Sequence, residues 1–263
     1  MASRIAQLRN WLEKRAPTQD CPIYFQHIPK TAGVSVRTWL HSYYGDRLCP
    51  AWLADDLVRL APELLRDYKA FAGHFHSYLE PYLGRNLVTV TVLREPVART
   101  RSHWHHVRRA PEHPHHLRVT GQTFTDFVMD DLNRVMIEDY QARYLMKLPL
   151  SLEVVAHRHT RTDATLSALS EALEQTSLPL CKPELLEGAT LALKRMAAIG
   201  VTERLHDFLV RVAKVANIPL PAAKAVPYTN ATEQNHAGEL SPESLRRLRD
   251  LTRIDQELYE AAI

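Results

Sequence analysis

The sequence has few cysteines, little net charge and no long hydrophobic run. Its three cysteines, Cys21, Cys49 and Cys181, are odd in number and widely spaced, which argues against a disulfide framework and against a CxxC metal site. No stretch approaches the roughly 18 consecutive apolar residues that a membrane-spanning helix needs. With 33 Lys+Arg against 30 Asp+Glu, the net charge of +3 is too small for the whole surface to bind nucleic acid or another polyanion.

The first 16 residues mix charged and apolar side chains and contain no continuous apolar stretch of the kind that a secretory signal has. Together with the scarcity of cysteine, this predicts a cytoplasmic protein. Hydrophobic residues make up 45% of the chain and charged residues 24%, which excludes disordered, collagen-like and low-complexity proteins. Neither a repeat nor a linker interrupts the 263 residues, so we expect a single domain over 1–263.

Short apolar runs alternate with amphipathic segments along the chain. Runs rich in β-branched and aromatic residues predict strands over residues 21–28, 69–75 and 86–93, with a shorter one over 197–201. Helical patterns are predicted over residues 4–15, 33–43, 51–66, 96–109, 202–215 and 241–258, the second with a buried stripe of Val36, Trp39, Leu40 and Tyr43. This alternation predicts an α/β fold: a parallel β-sheet flanked by helices on both faces, with extra helices in the C-terminal half.

The first strand-to-helix junction has the composition of a phosphate-binding loop. Residues 29–35, PKTAGVS, join a strand to a helix and include one lysine, one glycine and two hydroxyl side chains. The unpaired amides and the dipole of a helix start favour an anion there, and Gly33 allows a close approach of the backbone. It is not a Walker A loop, because Lys30 precedes the glycine. An ordinary turn, shaped by Pro29 and Gly33, is the alternative interpretation.

The second junction supplies further groups that suit a phosphate. Arg94 stands at the end of the third predicted strand, and Ser102 lies two turns into the following helix. Arginine offers a planar set of donors, and open α/β sheets bind ligands at the carboxyl ends of their strands. The alternative is that the arginines of this helix, Arg99, Arg101, Arg108 and Arg109, form a solvated basic face.

The two junctions together resemble sulfotransferases that use 3′-phosphoadenosine-5′-phosphosulfate (PAPS). PKTAGVS at 29–35 is similar to their PKTxGTS-type loop for the 5′-phosphosulfate, and REPVARTRS at 94–102 resembles their RxPxxRxxS motif for the 3′-phosphate. GHF at 73–75 resembles a further element of the group that includes heparan 2-O-sulfotransferase. Weaker similarities are DYQARYL at 139–145, IGVTERL at 199–205 and IDQELY at 254–259. The resemblance implies a P-loop-like sheet in a sulfotransferase domain.

The resemblance also implies a role for each matching residue. Lys30 would contact the oxygen that bridges phosphate and sulfonate. The 5′-phosphate would be held by Thr31, Gly33 and Ser35 with the amides of Ala32 and Val34, and the 3′-phosphate by Arg94 and Ser102. Val34 departs from the family, which commonly has threonine at this position, so that a hydroxyl contact is missing.

A general base must take the proton of the acceptor hydroxyl. His74 is the candidate, because histidine titrates near neutral pH and GH at 73–74 resembles the catalytic histidine of the 2-O-sulfotransferase group. His76 is the reserve, since strand alternation would place both side chains on one face. A structural role is the alternative for any single histidine among 14.

Six histidines cluster in residues 103–116, HWHHVRRAPEHPHH. The spacing matches no zinc pattern, so no metal site is predicted there or elsewhere. We expect this segment to be an exposed loop near the mouth of the acceptor site.

The sequence thus predicts a soluble enzyme that transfers a sulfonate group from PAPS to a hydroxyl of a glycan, lipid or small metabolite. It predicts no metal cofactor, no nucleic-acid partner and no membrane span, and it leaves the oligomeric state open. Because we expect no membrane anchor, we also expect the chain to differ from the Golgi-resident glycan sulfotransferases. The alternatives are a phosphotransferase with an unusual P-loop and a binding module without catalytic activity.

Overall fold

The computed structural model of the protein describes residues 21–76, 79–146, 182–220 and 240–263. The helix predicted over residues 4–15 and the third cysteine, Cys181, lie outside these ranges.

Four parallel strands form the sheet of the described chain, in the order β2-β1-β3-β4. Their register pairs Phe25 with Ala72 on one side and with Val90 on the other. Each strand lies within one of the four predicted runs and is almost entirely buried, as expected for a parallel sheet covered on both faces. The strands are β1 (Ile23–Gln26), β2 (Ala70–Gly73), β3 (Val88–Leu93) and β4 (Ala198–Val201).

Helices occupy most of the remaining described chain. Single 3-10 turns lie at Gly45–Arg47, Asp131–Asn133 and Thr202–Arg204. The helices before the first long gap are α1 (Gly33–Tyr44), α2 (Ala54–Arg59), α3 (Pro62–Asp67), α4 (Leu79–Leu83), α5 (Pro96–Arg109), α6 (His116–Val119), α7 (Phe124–Met129), α8 (Arg134–Ile137) and α9 (Tyr140–Leu145). After it come α10 (Lys182–Lys194), α11 (Leu205–Ala216), α12 (Pro242–Leu251) and α13 (Arg253–Ala262).

Alternate residues of the strands pack against helices on opposite faces of the sheet. Phe25 of β1 packs with buried residues of α1 and α11, including Trp39 and Phe208. Tyr24, one residue earlier, packs on the other face with residues of α2, α3 and α4. A separate cluster joins the ends of β3 and β4 to α9, α10 and α13. The predicted fold class, a parallel sheet flanked by helices on both faces with extra helices in the C-terminal half, is confirmed.

The strand order places a switch point between β1 and β3. The chain leaves β1 towards β2 on one side and returns to β3 on the other, so that the loops after β1 and β3 diverge from adjacent strand ends. A crevice at such a point is where open α/β sheets bind ligands. Both sequence motifs follow these two strands, which brings them together at one edge of the sheet.

Two local predictions are wrong. Tyr43 is 41% exposed, although it continues the spacing of the stripe that α1 buries. The last predicted helix is two helices, α12 and α13, which are separated at Thr252. The Thr252 hydroxyl donates to the Leu248 carbonyl, and the buried carboxylate of Asp139 accepts from the Ile254 amide at 2.8 Å, so that a second helix start is capped from outside.

Candidate active site

One large cavity, of about 950 Å³, opens at the carboxyl edge of the sheet. It brings together almost all of the residues that the sequence singles out. The predicted residues on its wall are Lys30, Ala32, Gly33, Val34, Ser35, His74, His76, Arg94 and Ser102. They come from the ends of β1, β2 and β3 and from the helices that follow β1 and β3.

The loop between β1 and α1 has an unusual backbone. Lys30 and Ala32 both have positive φ, 75° and 63°, a conformation that non-glycine residues adopt rarely and that occurs often at ligand sites. Ala32 is the N-cap residue of α1 and has no side chain that could accept a hydrogen bond from the helix amides. An α-helix leaves its first N–H groups without intrahelical acceptors. This helix start is therefore suited to an anion from the cavity.

Two loop residues differ from the predicted arrangement. Thr31 is fully buried, and its hydroxyl donates to the Ile28 carbonyl at 2.8 Å, so that the side chain braces the loop from inside. Gly33 is required by a neighbouring side chain: a Cβ atom there would lie 1.8 Å from Nε2 of His27. Glycine at position 33 thus makes room for the His27 ring, where the sequence predicted the close approach of a ligand.

Lys30 lies among other cations. Burial, followed by the charges of Arg109, Arg94 and Arg99, lowers its pKa to about 8. No ion pair of the described chain involves Lys30. A negatively charged ligand in the cavity would relieve this repulsion.

Hydrogen bonds to Gln141 fix the backbone of Arg94, and the residue lines the cavity. Its amide donates to the side-chain oxygen of Gln141 at 2.9 Å, and the Gln141 amide group donates back to the Arg94 carbonyl at 2.9 Å. Its guanidinium donates to the Lys30 carbonyl at 3.2 Å, while Nε is buried without a hydrogen-bond partner among the described residues. Burial lowers the pKa of Arg94. A buried donor that lacks a protein acceptor is suited to a ligand oxygen.

Arg99 departs from the interpretation of its helix as a solvated basic face. It is completely buried, and its guanidinium donates to the Met136 carbonyl at 2.8 Å and lies 2.7 Å from Nδ1 of His103. The same group stacks 3.6 Å above the centre of the Tyr140 ring. Burial lowers its pKa to about 10. Arg99 therefore ties α5 to the wall of the cavity, while Ser102, one turn later on the helix, lines the cavity.

His74 follows β2, and one nitrogen of its ring has two hydrogen-bond partners. Its Nδ1 lies 2.9 Å from the His27 carbonyl and 2.9 Å from the Tyr144 hydroxyl. A carbonyl only accepts, so the proton of the neutral ring is assigned to Nδ1 and Nε2 carries the lone pair. The ring is in the form that a general base requires.

His76 also lines the cavity, but the alternation of side chains along a strand does not explain its position. Strand β2 ends at Gly73, and His76 has a positive φ of 51°, so the period-two argument does not apply to it. Its ring lies 4.1 Å from that of Tyr144, and its carbonyl accepts from the Tyr24 hydroxyl. Both candidate bases therefore lie beside Tyr144.

The histidine-rich segment forms one wall of the cavity and is only partly exposed. Four of its histidines line the cavity: His103, His106, His113 and His115. The ring centres of His106 and His113 are 5.9 Å apart, and those of His113 and His115 are 5.6 Å apart. Burial and neighbouring cationic groups lower the pKa of each of these four rings. Among the described residues, no group of three or more metal-ligating side chains is placed to hold a metal ion.

Sequence reasoning missed the residues that hold α9 against the cavity. The buried carboxylate of Asp255 accepts from the amides of Gln141 and Ala142 at 3.0 and 2.8 Å, while Asp139 caps α13 in return. Burial raises the pKa of Asp255 to about 6 and raises that of Asp139. The segments 139–145 and 254–259 resemble family elements, but the sequence gives no signal that they pair with each other.

The fold and the cavity define an α/β protein with a positively charged ligand-binding site at the switch point of a parallel sheet. Two curated proteins are similar to it over most of the chain. Heparan-sulfate 6-O-sulfotransferase 2 of Danio rerio is 31% identical over 193 residues, 68% of this chain and 38% of the relative. Heparan-sulfate 6-O-sulfotransferase 3 of Homo sapiens is 24% identical over 237 residues, 86% of this chain and 46% of the relative. No protein-family model matches the chain.

The predicted resemblance to sulfotransferases is confirmed, with 6-O-sulfotransferases as the relatives in place of the 2-O group. The chain spans less than half the length of these relatives. The prediction of a cytoplasmic location is wrong. It set the chain apart from Golgi membrane-resident sulfotransferases, but the relatives are heparan-sulfate sulfotransferases of that group. Within the described residues, no helix has the length and apolar character that crossing a membrane requires.

Proposed function

We propose that this chain is a PAPS-dependent sulfotransferase that moves a sulfonate group to a hydroxyl of an anionic or neutral glycan. The observation that carries the proposal is the convergence of Lys30, Arg94 and His74, from the ends of three neighbouring strands, on one cavity. The 6-O-sulfotransferase relatives favour a sulfotransferase over a phosphotransferase, and a glycan over a lipid or small metabolite as acceptor. The whole chain, residues 1–263, would form one domain.

A donor with phosphate groups at both ends fits the two parts of the site. The start of α1, with the amides of residues 32–35, the Ser35 hydroxyl and Lys30, would hold the 5′-phosphosulfate. Arg94, whose buried Nε lacks an acceptor in the described chain, and Ser102 would hold the 3′-phosphate. The inward-facing hydroxyl of Thr31 would support the loop.

The reaction would be an in-line transfer with His74 as the base. The acceptor oxygen forms a bond to sulfur while the bond from sulfur to the bridging oxygen breaks. The acceptor proton passes to Nε2 of His74, and the negative charge that develops on the bridging oxygen is stabilised by Lys30. The products are the sulfated acceptor and adenosine 3′,5′-bisphosphate.

The direct test is transfer from radiolabelled PAPS to desulfated heparan sulfate and to a panel of other glycans. The label should pass to at least one glycan, and His74→Ala should lower the rate by about 10²–10⁴ while binding of adenosine 3′,5′-bisphosphate persists. The wild-type rate should rise with pH across the imidazole range, and this rise should vanish in the variant.

His41→Ala is the matched control, because His41 is exposed on α1 away from the cavity; it should behave as wild type. Loss of activity in His76→Ala with retention in His74→Ala would transfer the role to His76. Retention of activity in both would contradict the assignment of the base, and phosphoryl transfer from ATP without sulfonate transfer would contradict the proposed reaction.

A further inference from the structure

The Tyr144 hydroxyl lies at the back of the candidate base. It is 2.9 Å from Nδ1 of His74, on the opposite side of the ring from the Nε2 lone pair. Tyr144 is 6% exposed and lies on the cavity wall, and burial raises its pKa, so that it stays a neutral phenol. Its hydroxyl is therefore a fixed dipole beside the nitrogen that carries the proton in the resting ring.

Tyr144 is held in this place by the buried carboxylate at the start of its helix. Asp255 accepts from the first amides of α9, at Gln141 and Ala142, and thereby fixes the position of the helix against α13. The Tyr144 ring also packs against the Tyr140 ring at 6.3 Å and against the His76 ring at 4.1 Å. A hydroxyl on such a helix loses little freedom when it accepts a hydrogen bond.

We propose that Tyr144 is a positioning residue that orients His74 and supports its positive charge during sulfonate transfer. When Nε2 takes the acceptor proton, the ring becomes positively charged and Nδ1–H becomes a stronger donor. Its hydrogen bonds to the Tyr144 hydroxyl and the His27 carbonyl then strengthen, because bonds from charged donors are stronger than those from neutral donors. No bond is made or broken at Tyr144 itself. The two candidate bases lie differently against Tyr144: its hydroxyl is 2.9 Å from Nδ1 of His74, while its ring is tilted by 48° to the His76 ring with centres 4.1 Å apart.

This inference rests on the proposed function, because it gives the proton of the acceptor to His74. The hydrogen bond itself can be measured without turnover. The His74 ring lies beside the His27 ring from the end of β1, at 4.4 Å, the Trp52 ring, at 5.9 Å, and Tyr144 from α9, among other groups. His27 is buried, and burial followed by the charges of neighbouring groups lowers its pKa well below the usual value, so it is neutral where an ordinary imidazole titrates.

The test is Tyr144→Phe, which keeps the ring and removes the hydroxyl. NMR of protein labelled at the histidine ring carbons should show the His74 titration midpoint moving to lower pH by about one unit, a tenfold change in its ionisation constant, because the imidazolium loses an acceptor. His74→Ala identifies the resonance. In the transfer assay, kcat should fall about tenfold with an unchanged KM for PAPS, and the acid limb of the pH profile should move with the midpoint.

Tyr82→Phe is the matched control, because Tyr82 is a buried tyrosine of α4 outside the cavity; it should change neither the midpoint nor kcat. Tyr144→Phe should have no further effect in the His74→Ala background. An unchanged midpoint, or an equal loss of kcat in that background, would overturn the proposal. If the midpoint moves but no acceptor is sulfated by any variant or by wild type, the hydrogen bond stands and the proposed function fails.

Discussion

Helices α1 and α9 both begin at the cavity, and their N-termini differ in how they are capped. Helix α1 begins after the N-cap residue Ala32, whose side chain accepts no hydrogen bond from the helix amides. Helix α9 begins with amides that donate to the buried carboxylate of Asp255, a residue more than a hundred positions further along the chain. Both helix starts have N–H groups without an intrahelical acceptor and the same positive dipole end.

The difference separates a binding role from a supporting role. A helix start that the protein caps with its own carboxylate is fixed and has no need of a ligand, and α9 uses this rigidity to hold Gln141 against Arg94 and Tyr144 against His74. A start without a side-chain cap, next to a half-buried lysine, is suited to an anion from solution. Five experiments that change the sequence or the conditions test this difference.

The largest effect is expected when α1 is given a carboxylate of its own. Ala32→Asp should weaken the binding of adenosine 3′,5′-bisphosphate by about 10³-fold, because two like charges about 4 Å apart in a site of intermediate dielectric cost about 4 kcal/mol. Aspartate and asparagine both tolerate the positive φ of this position. Calorimetric titration measures the loss. Ala32→Asn, which adds the same shape without charge, should keep most of the affinity; equal losses in both variants would place the phosphate elsewhere.

The next effect concerns the lysine beside the uncapped helix start. Lys30→Ala should lower kcat by about 10²-fold and weaken product binding much less, because its charge matters most as the bridging oxygen becomes negative. Steady-state kinetics and calorimetry on the same preparation compare the two losses. Lys214→Ala, on the exposed face of α11, is the control. A loss confined to donor affinity would make Lys30 only a phosphate anchor.

On the capped side, the expected effect is on stability. Asp255→Ala should destabilise the fold by about 1–3 kcal/mol, because two buried amides lose their acceptor. Urea unfolding measures it, and Asp255→Asn, which keeps one acceptor, should lose less. Unchanged stability in Asp255→Ala would show that α9 does not depend on this carboxylate.

The pKa of about 6 for Asp255 adds a pH dependence. Its folded pKa lies above the usual value for aspartate, so the folded state binds the proton more tightly, and the contribution of this group to stability declines as pH rises from about 4 through 6. The difference in unfolding free energy between wild type and Asp255→Asn should change over this window and level off above it. A constant difference from pH 4 to pH 7 would contradict a perturbed carboxyl.

The smallest effect is a proton that accompanies the nucleotide. The pKa of Lys30 is lowered to about 8 in the free protein, and a bound anion would restore its charge, so that binding of adenosine 3′,5′-bisphosphate near pH 8.5 should take up a fraction of one proton. Calorimetry in two buffers of different ionisation enthalpy measures this uptake. It should be absent in Lys30→Ala; the same uptake in that variant would assign the proton to another group.

The fold and the candidate site were predictable to different extents. The four buried strands follow from local composition. Each junction motif begins within a few residues of the end of its own strand, so that the shared sheet edge of the two motifs follows from parallel strand order. Local patterns also mark the start of α12 at Ser241, whose hydroxyl accepts from the Ser244 amide. They do not reveal that Thr252 ends this helix, because the cap of the next one comes from distant Asp139.

Arg99 and Tyr144 show why the rest was not predictable. Each has an ordinary amphipathic position in its helix, and its role depends on a partner from another part of the chain: the Met136 carbonyl for Arg99, and His74 for Tyr144. Burial of a charged side chain is decided by such partners and not by the spacing within one helix. The predicted roles of the site residues, and the single domain, stay predictions.

The proposed function depends on the claim that the cavity binds a nucleotide with phosphates at both its 3′ and 5′ positions. Calorimetric titration of adenosine 3′,5′-bisphosphate and of adenosine 5′-monophosphate tests this binding. The bisphosphate should bind at least about tenfold tighter, since a charged hydrogen bond contributes about 1.5–3 kcal/mol, and Arg94→Ala should erase the preference without loss of the fold. Equal affinities for the two nucleotides in the wild-type protein would contradict the claim.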